Sequence, residues 1–283
     1  MPRESFLRIA GITMRVVRDD PRAVWRWEEP AARFLVDPAP AEVEIAVRVG
    51  FSHLPPSALL FDSGAVWSLH RTDRGFRIDC RSEAFGGVYK IALFDESFTR
   101  GTIHLREDLA ALHPLDYPLD EVLVAQLLGR GRGVELHSCG IIDDAGRGRL
   151  FAGVSGAGKT TTARLWSAHA RGVVSDDRVI VREVDGAMWM FGTPWHGEAE
   201  LSLPGGVPLA GVYLLEQAHA NELRELPAAE AVARMFRCSF PPFHDAQAVG
   251  FTLSFLEKLA AAVPVRELRF TRDPEAVAVV LRG

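Results

Sequence analysis

The sequence predicts a mixed α/β protein with a β-rich N-terminal domain, residues 1–112, and an α/β C-terminal domain, residues 113–283. Two observations lead to this division. Short apolar or alternating runs separated by Gly, Pro, Asp and Ser fill the first part, as is typical of strands and turns. Beyond it, strand-like runs alternate with helix-like segments, which favours an α/β sheet. The intervening segment His113–Pro118 contains two prolines, which interrupt helices and central strands.

In the first domain, the strands are predicted from short runs of alternating or continuous apolar residues. The segment Val17–Ala41 is rich in Pro, Arg and Asp and is predicted to be irregular. The predicted strands are Phe6–Val16, Val43–Val49, Ala58–Phe61, Ala65–His70, Gly75–Cys80, Val88–Phe94 and Thr102–Leu105.

In the second domain, helical spacing and turn residues mark the elements. The tetrapeptide Asp143–Gly146 is predicted to be a tight turn between two strands. Predicted strands are Val134–Ile142, Arg149–Ala152, Val173–Ser175, Val179–Val181, Ala187–Phe191, Leu209–Leu215 and Val265–Phe270. Predicted helices are Leu119–Leu128, Gly158–Ala170, Pro227–Phe236, Asp245–Val263 and Pro274–Leu281.

Composition excludes several classes of protein. A net charge of −5 over 283 residues gives no basic excess for a nucleic-acid backbone, so no nucleic-acid partner is expected. No apolar segment approaches the length of a membrane helix, so no membrane partner is expected and the protein is predicted to be cytoplasmic. The three cysteines are too scattered for a disulfide framework or a zinc site and are predicted to be reduced.

The strongest motif is Gly153–Thr160, which reads GVSGAGKT and matches the phosphate-binding loop pattern G-x-x-x-x-G-K-[ST]. Glycines allow backbone N–H groups to surround phosphate oxygens at the start of a helix. Lys159 would reach the β- and γ-phosphates, and Thr160 would offer a hydroxyl ligand to Mg²⁺. ATP and Mg²⁺ are therefore expected ligands. The predicted nucleotide contacts are Gly153, Ser155, Gly156, Ala157, Gly158, Lys159, Thr160 and Thr161.

A pair of carboxylates, Asp176 and Asp177, follows a short apolar strand 17 residues after Lys159. A right-handed crossover through one helix would place this strand beside the strand that leads into the loop, with the carboxylates at the edge where α/β sheets bind ligands. One carboxylate would hold the metal and the other would accept a proton from an incoming hydroxyl. We assign Asp176 as the base and Asp177 as the metal ligand; the reverse assignment stays open.

Two weaker features accompany these motifs. The loop Gly192–Glu198 is dense in polar and aromatic residues, and its His196 and Glu198 would be able to reach the phosphates or the metal. A plain turn explains the same residues equally well. His137 lies on the predicted strand before the loop, where a core position and a site position are both compatible with the spacing.

These residues together resemble the C-terminal kinase domain of bacterial HPr kinase/phosphorylase and of HPr-kinase-like serine kinases. The matching parts are His137 with Gly140, the loop Gly153–Thr160, and the segment Arg171–Val179, so the resemblance covers about residues 134–181. The loop is also similar to that of ATP-type phosphoenolpyruvate carboxykinase. The resemblance implies a P-loop kinase domain of this type, with Asp176 as general base toward a serine hydroxyl, His137 in the site, and self-association.

The resemblance has a gap that bears on the acceptor. The HPr enzymes carry a Glu-x-Arg-Gly-x-Gly segment, which is absent after Asp177, so HPr is not the expected target and the presence of phosphorylase activity stays open. The predicted function is transfer of the γ-phosphate of ATP to a serine or other hydroxyl of a protein or peptide. The alternatives are a small-molecule kinase and a non-catalytic, nucleotide-gated binding protein. A GTPase base-reading motif and an ABC-type Leu-Ser-Gly-Gly-Gln motif are both missing.

Overall fold

The chain forms a mixed α/β structure that consists mostly of β-sheet with few helices. The structure is a computed structural model that describes residues 3–52, 54–166 and 170–282. Two compact units are present. The first contains the residues up to Arg8 and Ile12–Leu127, and the second contains Ile9–Gly11 and the residues from Leu128 onward. The sequence analysis placed the joint slightly earlier, at His113–Pro118.

The first unit is dominated by one sheet. Its nine strands, among the described residues, follow the order β3-β1-β2-β4-β9-β8-β7-β6-β5. Short 3-10 helices occupy Ala31–Phe34 and Glu107–Leu109. The elements are β1 (Glu4–Ile9), β2 (Ile12–Arg18), β3 (Leu35–Val36), β4 (Val43–Val49), β5 (Ala58–Asp62), β6 (Trp67–Thr72), β7 (Gly75–Ser82), β8 (Gly87–Phe94), β9 (Arg100–Leu105) and α1 (Leu119–Leu127).

Strand β4 illustrates how the sequence pattern builds this sheet. Along Val43–Val49 the valine and isoleucine side chains are buried, while Glu44 and Arg48 on the opposite face are exposed, as period-two alternation requires. At the end of the strand order, β5 exposes Leu59 and Leu60, with 59% and 47% of their surface accessible. The sheet therefore has an apolar edge strand.

The prediction of a single strand over Phe6–Val16 is wrong. Ala10 and Gly11 adopt positive φ values of 49° and 77°, and this turn divides the segment into β1 and β2. The apolar run is continuous through the turn, so hydrophobicity alone did not reveal it. The other strand predictions in this unit are confirmed within a few residues, and Val43–Val49 is confirmed at both ends.

The second unit alternates strands and helices from Val134 onward, after a π-helical turn at Leu128–Arg132. The predicted elements are confirmed within a few residues, except that the helix predicted to reach Ala170 is described as α2 only to Trp166. Strand β16 was not predicted. The last residues of that predicted helix include 167–169, which lie outside the described residues. The elements are β10 (Val134–Asp143), β11 (Gly148–Ala152), α2 (Lys159–Trp166), β12 (Ala170–Ser175), β13 (Arg178–Val184), β14 (Ala187–Phe191), β15 (Gly206–Gln217), β16 (Glu222–Glu225), α3 (Ala228–Arg237), α4 (Ala246–Ala262), β17 (Val265–Phe270) and α5 (Glu275–Arg282).

Strand β11 lies at the centre of the second unit's sheet. It pairs antiparallel with β10 and parallel with β15, and β15 pairs parallel with β17. Strand β12 pairs with β10, so the prediction that it lies directly beside β11 is wrong. The tight turn at Asp143–Gly146, in which the Gly146 N–H donates to the Asp143 carbonyl at 2.8 Å, makes β10 the neighbour of β11 through a local hairpin.

Helices cover both faces of this sheet. Leu150 and Ala152 of β11 belong to an apolar cluster that includes Met235 of α3 and Leu256 of α4. Phe151 points to the other face, where its cluster contains side chains of α2 and α5. Because both faces are buried, the loops at the carboxyl ends of the strands are where a ligand can approach. None of the described helices is long and apolar enough to cross a membrane.

Candidate functional site

The glycine-rich loop connects the carboxyl end of β11 to the first residue of α2. Within it, the Ala157 N–H donates to the Val154 carbonyl at 3.1 Å, and the Thr162 N–H donates to the Gly158 carbonyl at 2.8 Å. The N–H groups of the first helical turn have no acceptor within a helix. Together with the helix dipole, they make the start of α2 a favourable place for an anion.

Two glycines of the loop leave no room for a side chain. Gly158 has a φ of +108°, and a Cβ atom there would lie 2.6 Å from Phe270 Cζ. A Cβ on Gly153 would lie 2.6 Å from Ala157 Cβ. The loop is thus packed tightly against itself and against Phe270 of β17, which fixes the path of the backbone.

Lys159 is the buried cation of the loop. Its Nζ donates to the carbonyls of Gly153 at 3.1 Å and Val154 at 3.2 Å. Burial lowers the pKa of Lys159 below its usual value, and the negative charge of Asp177 opposes that effect. The ammonium group thus hydrogen-bonds to neutral carbonyl oxygens, and a charged oxygen would be a stronger acceptor.

The remaining loop residues predicted to contact a nucleotide lie along the same turn and helix start. Ser155 and Gly156 are exposed, whereas Ala157, Thr160 and Thr161 are partly buried. The Gly156 carbonyl accepts a hydrogen bond from Gln217 Nε2 at 2.7 Å, which anchors the tip of the loop to the end of β15. Nucleotide contacts at these positions stay predictions.

Asp176 is almost completely enclosed, with 1% of its surface exposed. Its Oδ1 accepts the N–H of Gly197 at 2.9 Å and that of Leu201 at 3.3 Å, and its Oδ2 accepts the N–H of Ala199 at 2.9 Å. Both carboxylate oxygens are therefore engaged in holding the segment Gly197–Leu201. This geometry suits a positioning role better than contact with an acceptor hydroxyl.

Asp177 has a different environment. Its Oδ1 lies 3.0 Å from Nε2 of His137, and its Oδ2 accepts a hydrogen bond from Arg178 Nη1 at 2.5 Å. The side chains of Asp177 and His137 are 26% and 21% exposed. Burial would raise the pKa of Asp177, but the His137 hydrogen bond and the charges of Arg178 and Lys159 outweigh it, so the pKa lies below its usual value. Asp177 is thus an ionised, accessible carboxylate.

The structure therefore brings together three of the predicted site residues, Lys159, His137 and Asp177. The backbone adds to this placement, because the His137 carbonyl accepts the Gly153 N–H at 3.3 Å and the Asp177 carbonyl accepts the Ser138 N–H at 3.0 Å. The two interpretations of His137 that the spacing left open are thereby separated, since its ring lies beside Asp177 rather than in the apolar core. The base assignment for Asp176 stays a prediction that this geometry does not favour.

Glu198, predicted as a metal ligand, follows Gly197, whose N–H donates to Asp176. It is exposed, as is His196, whose Nδ1 lies 3.0 Å from the Gly197 carbonyl. In the part of the chain that the structure describes, no group of three or more His, Cys, Asp or Glu side chains is arranged to hold a metal. The metal roles of Thr160, Asp177 and Glu198 remain predictions.

Sequence reasoning missed the residues that orient Asp177. Arg178 Nε lies 3.4 Å from Oε1 of the buried Glu135, and Arg178 Cζ lies 4.2 Å from the centre of the Phe240 ring. Arg178 directly follows the aspartate pair, and that adjacency was the one available signal. Glu135 and Phe240 are distant in sequence and carry no motif.

A scan of the sequence against protein-family models finds no match, and a search of the curated proteins finds none either. The function is therefore inferred from the chemistry of the loop and of the side chains around it.

Proposed function

We propose that this protein is a phosphotransferase that moves the γ-phosphate of Mg²⁺-bound ATP to a hydroxyl group of a protein or peptide. More specifically, we propose that the second unit is a P-loop kinase domain of the HPr-kinase-like type. The observation that carries it is the position of the His137–Asp177 pair beside a complete phosphate-binding loop, close enough for the charge of Lys159 to lower the pKa of Asp177.

In the proposed mechanism, the loop N–H groups and Lys159 hold the β- and γ-phosphates, and Thr160 supplies a hydroxyl ligand to Mg²⁺. The acceptor oxygen attacks the γ-phosphorus in line, and the bond between the γ-phosphorus and the β,γ-bridging oxygen breaks. Asp177 accepts the hydroxyl proton, and His137 orients its carboxylate through the 3.0 Å contact. Asp176 holds the segment Gly197–Leu201 in place.

The proposal of a peptide acceptor, rather than a small molecule, is supported by the edge strand β5. An edge strand offers free backbone donors and acceptors to an added extended segment. The exposed Leu59 and Leu60 would add apolar contacts for the side chains of such a segment. A small-molecule kinase needs no such edge.

The proposal can be tested with purified protein, Mg²⁺, γ-labelled ATP and a lysate of the source organism, followed by mass spectrometry. We expect a phosphopeptide with the wild type that is lost in Lys159→Ala and in Asp177→Asn. Lys258→Ala is the matched control, because Lys258 is exposed and pairs with Glu183. Substantial transfer by Lys159→Ala would contradict the proposal. Label found in a metabolite would indicate a small-molecule kinase, and ATP binding without transfer to any component would indicate a binding protein.

A further inference from the structure

A small pocket adjoins the phosphate-binding loop on the side of its first residues. It has a volume of about 100 Å³ and is bordered by Gly153, Val154, Glu216, Arg234, Arg237 and Cys238. The carbonyls of Gly153 and Val154 are the two groups that accept hydrogen bonds from Lys159 Nζ. The pocket and the ammonium group of Lys159 therefore share two neighbouring residues, Gly153 and Val154. Its volume exceeds what a single water molecule needs.

The two arginines of this pocket differ in their partners. Arg234 is neutralised by Glu267, which accepts its Nη1 hydrogen bond at 2.5 Å, and it lies 4.0 Å from Glu216 and 3.9 Å from Glu230. Arg237 is the last residue of α3 and is exposed. Within the described residues it makes no hydrogen bond or ion pair, so its guanidinium group is available to a ligand.

Three cationic side chains act on the Cys238 thiol, which borders the pocket. Burial raises the pKa of the Cys238 thiol, and the positive charges of Lys159, Arg237 and Arg234 act against that rise. Those three charges are therefore close enough to the Cys238 thiol to act on it. Since Arg234 already has acidic partners, the excess positive charge near the Cys238 thiol comes from Lys159 and Arg237.

We propose that Arg237 and this pocket form an oxyanion subsite that binds the terminal phosphate of the nucleotide beside Gly153 and Val154. This inference rests on the proposed function. A guanidinium group presents a planar fork of donors that matches two oxygens of a phosphate, and Lys159 supplies a second charge at the same end of the loop. The subsite distinguishes a nucleoside triphosphate from a diphosphate, because only the triphosphate extends into it.

The test compares the binding of Mg²⁺ complexes of ADP and of a non-hydrolysable ATP analogue by titration calorimetry. We expect Arg237→Gln to weaken the triphosphate analogue by about tenfold or more and to change the ADP affinity by less than about twofold. Arg237→Lys should recover part of the loss, since it keeps the charge without the fork. Arg171→Gln is the matched control, because Arg171 is exposed at the opposite end of β12 from Ser175.

The outcomes separate this inference from the proposed function. If the wild type binds neither nucleotide, the proposed function is wrong and the subsite falls with it. If the wild type binds both and Arg237→Gln changes neither affinity, or lowers both equally, the subsite inference alone is wrong. Arg237→Gln could also leave the triphosphate affinity unchanged but raise the KM for an acidic acceptor. Arg237 would then bind an acidic group of the acceptor, and its assignment to the terminal phosphate would be wrong.

Discussion

Replacing Asp176 by asparagine tests the division of labour between the two consecutive carboxylates. Asparagine has nearly the same shape, but only one of its two terminal atoms can accept a hydrogen bond. In the better orientation the amide oxygen takes the place of Oδ1 and keeps the hydrogen bonds from the N–H groups of Gly197 and Leu201. The NH₂ group then faces the Ala199 N–H, which Oδ2 accepts in the wild type. Two donors then oppose each other in a place that is almost fully buried.

The loss of stability expected for Asp176→Asn follows from these hydrogen bonds. An unsatisfied buried N–H costs about 1–3 kcal/mol, and each of the other two hydrogen bonds loses about 0.5–1 kcal/mol when its acceptor becomes neutral. The relief of burying a charge offsets part of this cost. A net loss of about 3 kcal/mol is therefore expected, which corresponds to roughly a hundredfold higher population of the state in which Gly197–Leu201 has opened.

Hydrogen exchange at the Gly197 and Ala199 amides, together with the urea midpoint, measures this effect. We expect exchange at both amides to accelerate and the midpoint to fall, with ATP-dependent transfer reduced as a consequence. Asp185→Asn, at an exposed turn, is the control and should change none of these values. If Asp176→Asn keeps wild-type exchange and stability but abolishes transfer, the positioning role is wrong and Asp176 is the base.

Two further predictions concern pH. Because the folded-state pKa of Asp177 is lowered, its ionised form stabilises the fold above the ordinary value near 3.8. This contribution is lost as the pH falls through the lowered value, so the stability difference between wild type and Asp177→Asn in urea titrations should shrink below about pH 4. A constant difference down to pH 2.5 would contradict this. In the first unit, burial, aided by the charge of Lys90, lowers the pKa of His113 to about 4. Stability should therefore fall as the pH drops from about 6.5 toward 4, by about 3 kcal/mol at most, and His113→Gln should remove that slope.

Much of the fold was predictable because its signals are local. The alternation in Val43–Val49, the tight turn at Asp143–Gly146, and the cap of α4, where Asp245 accepts N–H groups of Gln247 and Ala248, each involve residues close in sequence. Pairing between distant strands has no such local signal. The position of β12 next to β10 depends on pairs between residues far apart in sequence, such as Gly140 with Ser175. The short strand β16 has mostly polar residues that show no strand pattern.

The residues of the candidate site also fall into those that a local sequence signal reveals and those that only long-range contacts bring together. The loop Gly153–Thr160 was found from sequence because the phosphate-binding pattern fixes four positions within eight consecutive residues. Arg237 was not found, because its relevance depends on the C-terminal end of α3 lying near the first residues of that loop, a long-range contact. Glu198 was assigned to the site because its loop is dense in polar and aromatic residues, and in the structure its side chain is exposed.

The aspartate pair shows why adjacency in sequence does not imply a shared role. Asp176 and Asp177 form the bend between β12 and β13, and the side chains of these two neighbours have different partners. Asp176 turns inward to three backbone N–H groups, and Asp177 turns toward His137 and Arg178. A proton acceptor needs access to its substrate, and a segment that borders the site needs a fixed anchor. The backbone at Asp176–Asp177 supplies both from two neighbouring residues, which makes Asp177 the carboxylate whose replacement should stop transfer while Asp176 still anchors Gly197–Leu201.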